Sequence, residues 1–161
     1  MQLWIVRHAI AADLSAEILT DYDRPLTDKG RRKFRVLAQA LAMEGYKPDL
    51  ILSSPLLRAV QTAEILRDSM KLPDKQVEIE PMVGPGVDLA RVLDSMRDRE
   101  PVEALAIVGH EPDMSRNTSL LIGGGQVDFG KGNIACIEFD RFPSVGSGRL
   151  RWFVRPGLVD G

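Results

Sequence analysis

The chain has 161 residues, 44% hydrophobic and 27% charged, with 21 lysines and arginines against 23 aspartates and glutamates for a formal charge of -2. That length fits one domain spanning residues 1–161 with a core of its own, and the composition excludes an intrinsically disordered chain. The charge balance offers no broad basic footprint for nucleic acid, so any anion site must be local.

The first apolar run, Leu3 to Val6, is short, rich in strand formers and continuous, the pattern of a strand buried on both faces. Four apolar residues are too few for a secretory leader or a membrane span. The single cysteine, Cys136, has no partner for an internal disulfide and fits a reducing compartment. The expectation is a cytoplasmic protein with no membrane contact.

Thr27 is a helix cap, and Leu37, Leu41 and the neighbouring alanines carry a helix over 27–44 until Gly45 stops it. Leu50 to Leu52 reads as a second buried strand. Ser54-Pro55 then supplies a cap with proline at the first helical position, opening a helix that runs to Met70. Val77 to Ile79 forms a short strand, and the prolines and glycines of 81–86 mark a loop. Asp88 is placed to cap a helix over Leu89 to Arg99, and Ala104 to Val108 is another strand buried on both faces. A helix over Met114 to Leu121 ends at Gly123-Gly124-Gly125, and strands at Ile134 to Phe139 and Leu150 to Val154 close the chain as a hairpin. Alternating strands and helices predict an α/β fold. Its sheet is mostly parallel, with helices on both faces and an antiparallel edge.

Both histidines follow a buried strand directly: His8 after Leu3 to Val6, His110 after Ala104 to Val108. In open α/β sheets the ligand crevice lies beyond the carboxyl ends of the strands, so the two imidazoles are aimed at one region. Arg7 adjoins His8, and Arg58 lies one turn into the helix opened by Ser54-Pro55, whose amide end favours an anion. One histidine at a strand end is ordinarily a hydrogen-bonded loop residue. Two histidines and two arginines at one end of three strands point to a site.

Arg7-His8 after the first strand, the segment Ser54-Pro55-Leu56-Leu57-Arg58-Ala59-Val60-Gln61-Thr62-Ala63, and Val108-Gly109-His110 resemble the three defining motifs of the histidine phosphatase (phosphoglycerate mutase-like) superfamily. Arg24-Pro25-Leu26-Thr27 with Gly30, and Pro85-Gly86-Val87-Asp88, are similar to its SixA branch. The resemblance implies a phosphohydrolase in which a neutral His8 takes the phosphoryl group while Arg7, Arg58 and a protonated His110 hold the oxygens. No cofactor or metal is implied. The substrate implied is phosphohistidine on a protein; the alternatives are a small phosphate ester or a noncatalytic phosphate-binding role.

The chain departs from the pattern at Ala9, where the superfamily usually has glycine, which predicts a slightly less free backbone there. No carboxylate stands in an unmistakable position for a general acid. Glu80 and Asp88 are the candidates, with helix capping an equal reading for Asp88.

Other signals read as structural. Gly125 to Lys131 matches the start of a nucleotide-binding P-loop, but Gly132 replaces the serine or threonine that would bind magnesium, and the segment runs from helix into strand. Lys131 could still border the pocket. Cys136 and Arg141 are one residue short of a cysteine phosphatase spacing, and an apolar strand makes Cys136 an inert core thiol. Lys29, Arg31, Arg32, Lys33 and Arg35 read as a solvated helix face. Asp13 or Glu111 with the histidines matches no standard metal-ligand spacing.

Overall fold

In the computed structural model, which describes residues 1–97 and 101–158, six strands form one sheet in the order β3-β2-β4-β1-β5-β6. The strands are β1 (Gln2–Arg7), β2 (Leu50–Ser53), β3 (Val77–Ile79), β4 (Ala104–Gly109), β5 (Ile134–Glu138) and β6 (Arg149–Val154). β3, β2, β4 and β1 run parallel, β5 is antiparallel to β1, and β6 is antiparallel to β5. The helices are α1 (Asp28–Met43), α2 (Leu57–Ser69), α3 (Leu89–Met96) and α4 (Asp113–Leu121).

The continuous apolar run of β1 follows from its central place. Alternate side chains point to opposite faces. Trp4 and Val6 therefore join a core with Phe34 and Leu37 of α1 and Ala59, Ala63 and Leu66 of α2. Leu3 and Ile5 join a second core with Leu89, Val92 and Leu93 of α3 and Met114 and Leu121 of α4. Burying each such side chain stabilises the fold by roughly 1.5–3 kcal/mol.

Thr27 caps α1 by accepting the Gly30 N–H at 3.0 Å. Gly30 has a packing reason as well, since a Cβ there would collide with the Ile10 carbonyl oxygen. Asp88 caps α3 through the Ala90 N–H. The predicted end of that helix at Arg99 lies outside the described residues, and the helix is seen through Met96.

One boundary differs in a way that matters. α2 begins at Leu57, not at Pro55, and Leu56 holds the cap position without a side-chain bond. Pro55-Leu56 is a bend between β2 and α2, so Arg58 sits in the helix's first turn.

Candidate active site

The register of the parallel strands builds the site. Arg7 at the end of β1 pairs with Gly109 at the end of β4, and Ser53 at the end of β2 pairs with Val108. The next residue on each strand is therefore brought to one edge: His8, His110 and Ser54. Their backbones are tied across, His8 N–H to the Gly109 carbonyl and Ser54 N–H to the Val108 carbonyl, each at 3.0 Å. The imidazole centroids stand 5.2 Å apart, and both rings are buried.

His8 has a defined tautomer. Its Nδ1 lies 2.7 Å from the Ala9 carbonyl oxygen, which can only accept, so Nδ1 carries the proton and Nε2 the free lone pair. The Nε–H of Arg58 donates to that Nε2 at 3.3 Å. Burial pushes the imidazole down to about 3 from its ordinary 6.5. The Ala9 carbonyl pulls the other way, while His110, Arg58 and Arg7 add to the lowering. His8 is neutral at pH 7, as expected of it.

His110 is likewise held toward its neutral form. Burial first, and then the charge of Arg58, hold its imidazole down to about 4, so with the charges of the chain alone it is neutral rather than protonated. Its Nε2 is 2.7 Å from the Ser54 hydroxyl. Buried Nδ1 has no hydrogen-bond partner among the described residues. The buried Nε of Arg7 is also unpartnered, while Arg7 Nη1 donates to the Phe129 carbonyl at 2.5 Å. A buried polar nitrogen without a partner is costly unless water or a ligand meets it. Two such nitrogens beside two arginines suit an oxyanion.

Arg58 is held from three sides: by His8, by the Asp21 carbonyl at 2.6 Å and by the Asp21 carboxylate at 2.9 Å. Thr62, one turn along α2, donates to the Arg58 carbonyl and accepts the Ala9 N–H at 3.1 Å, locking the helix to the loop after His8. Gln61 accepts the Leu26 N–H. Ala9 itself is buried and is not among the described residues with positive φ, so a methyl group in place of glycine imposes no backbone strain.

The other carboxylate candidates are bonded or paired elsewhere, although the Glu111 charge acts on the Arg7 guanidinium. The Glu80 carboxylate accepts the Met82 N–H of its own turn, and Asp88 is spent on α3; among the described residues neither bonds to the histidines or arginines. Asp13 pairs with Arg24, and Glu111 accepts from Ser115. Among the described residues no group of three or more His, Cys, Asp or Glu is placed to hold a metal. The Gly125–Lys131 segment connects α4 to β5, the wrong order for a P-loop, and Lys131 is exposed. Cys136 is buried in β5, its thiol pushed up to about 12 by burial.

Sequence reasoning missed two parts of the site. Ser54 reads as a helix cap, and its hydroxyl does accept the Leu56 N–H at 3.3 Å, but it also lies 2.7 Å from His110 Nε2, which the sequence does not announce. Asp21 lies in a loop without periodicity, and only its spacing of three from Arg24 hints at the pair they form.

Comparison with known proteins gives a consistent picture. Residues 3–82 match the family model of the histidine phosphatase superfamily (branch 1). An uncharacterized protein of Picosynechococcus sp. is 42% identical over 116 residues, covering 71% of this chain and 68% of its own. Phosphohistidine phosphatase SixA of Escherichia coli is 29% identical over 159 residues, covering 97% and 94%. A solved structure of the protein histidine phosphatase SixA complexed with tungstate is 30% identical, with a TM-score of 0.84 over 97% of both chains.

Proposed function

The chain belongs to the histidine phosphatase superfamily and is a phosphohydrolase of the SixA type; from that premise we propose that it hydrolyses phosphohistidine on a protein through a phosphorylated His8. The observation that carries this reading is the His8 tautomer. Nδ1 is committed to the Ala9 carbonyl, and the lone pair on Nε2 faces the Arg58 guanidinium.

In the first step Nε2 of His8 attacks phosphorus, and the P–N bond to the substrate imidazole breaks. The electron pair stays on the departing ring, which leaves as a neutral imidazole after taking a proton from solvent on its other nitrogen. In the second step water attacks the phosphorus on His8, releasing inorganic phosphate and restoring the imidazole. Arg58, Arg7 and His110 surround the equatorial oxygens, and preorganised donors of this kind supply much of the stabilisation in phosphoryl transfer. A phosphoryl anion beside His110 favours its protonated form, against burial and the Arg58 charge that lower it in the chain alone. A structure of SixA holding tungstate, a tetrahedral oxyanion, supports such a cradle in this fold.

The choice of bond rests on the carboxylates. An alkyl ester's leaving oxygen benefits from a positioned acid. Glu80 and Asp88 both cap their own turns. An imidazole, with a parent pKa of about 6.5, leaves with little help. The lone buried thiol of Cys136 supports a cytoplasmic setting. Steady-state kinetics on a phosphohistidine peptide and on an alkyl phosphate should give a much higher kcat/KM for the peptide. Equal or faster turnover of the ester would replace this reading with an ester phosphatase.

A further inference from the structure

Asp21 lies at the mouth of the site, outside the three motifs, and its contacts with Arg58 are more specific than those of a surface ion pair. Arg58 has five N–H groups in a fixed planar fork. Asp21 takes two of them from the outer side: its carbonyl oxygen accepts from Nη1 at 2.6 Å, and its Oδ2 accepts from Nη2 at 2.9 Å. The Nε–H is thereby left pointing at Nε2 of His8.

Asp21 is itself anchored independently of Arg58. Its Oδ1 accepts from Arg24 at 2.8 Å, and Arg24 donates through Nε to the Ala12 carbonyl at 2.6 Å. The next residue, Tyr22, accepts the Leu57 N–H at 3.0 Å, fastening the loop to the first turn of α2. The clamp thus has a fixed base.

We propose that Asp21 is a positioning residue that sets the plane of the Arg58 guanidinium, keeping its inner edge turned to the phosphoryl group on His8. This rests on the phosphohistidine mechanism above. The two arginines hold the Asp21 carboxylate ionised, Arg24 first, so it has no proton to give a leaving group and acts through Arg58. An exposed ion pair ordinarily contributes little to stability. Here the Arg58 side chain is only 7% exposed, and orientation of a buried charge is read in rate rather than in folding.

The test is a double-mutant cycle with Asp21→Ala, Arg58→Ala and the double variant, assayed on a phosphoramidate after thermal melts have verified folding. Asp21→Ala should lower kcat about tenfold, a modest share of what misplacing a charged donor can cost. Its KM should be unchanged or lower, because a negative charge has left the neighbourhood of an anion; a disordered loop would raise KM instead. In the Arg58→Ala background the Asp21 substitution should have no further effect. Wild-type kcat in Asp21→Ala beside an impaired Arg58→Ala sinks this inference alone, as does an equal loss from Asp21→Ala in both backgrounds. Full activity of Arg58→Ala sinks the underlying mechanism and the inference with it.

Discussion

Two places in one sheet bury titratable side chains, and burial pushes both toward their neutral forms: the histidines beyond β1 and β4, and Cys136 inside β5. Their surroundings separate them. His8 and His110 face each other, two arginines and a serine hydroxyl at the end of three parallel strands, with nitrogens of His110 and Arg7 left unpartnered among the described residues. Cys136 packs among Trp4, Ile134 and the α1–α2 core, with a long contact of 3.8 Å to the Gln2 side chain. Desolvation alone therefore does not mark chemistry. What marks it is desolvation together with charge that converges on one point.

That contrast can be pressed hardest at the arginines. Arg58→Ala and Arg7→Ala should each cost about 2 to 4 kcal/mol of transition-state stabilisation, seen in kcat and kcat/KM together. A rise in KM with kcat untouched would demote them to ground-state binding.

Acid should distinguish the two regions next. The folded-state values of about 3 and about 4 for His8 and His110 lie below the ordinary 6.5, so the unfolded chain binds protons that the fold refuses. Their contribution to stability is complete above pH 6.5 and is lost as pH falls toward 4. The wild-type melting temperature should drop across that window, and His8→Ala or His110→Ala should drop less steeply. Parallel slopes in wild type and variants would mean that the rings titrate normally.

Cys136 should give the smallest effect. Cys136→Ala removes a small buried side chain at a cost of about 1 kcal/mol of stability and leaves kcat unchanged. A thiol-dependent loss of activity would give β5 a chemical role.

The strand ends were legible in the sequence because a strand buried on both faces is a continuous apolar run, and the residue after it is conspicuous when it is His8 or His110. Arg58 followed from its place after the second such run. The start of α2 was not legible: Ser54-Pro55 carries a capping signal, and the Ser54 hydroxyl does accept the Leu56 N–H, but it also meets His110 and the helix begins only at Leu57. Asp21 was hidden for a related reason. The course of its loop is set by Arg24 on the Ala12 carbonyl and by Leu57 on the Tyr22 carbonyl, contacts that no periodicity announces. His110's charge was also beyond the sequence, since it depends on how deeply the ring is buried.

The central claim is that the phosphoryl group passes through His8. Rapid mixing with a phosphoramidate, quenching under alkaline conditions that preserve phosphohistidine, and intact mass followed by peptide mapping test it directly. One added phosphoryl group on His8, absent from His8→Ala, is the predicted result; active enzyme that never carries phosphate on His8, or carries it on another residue, would contradict it.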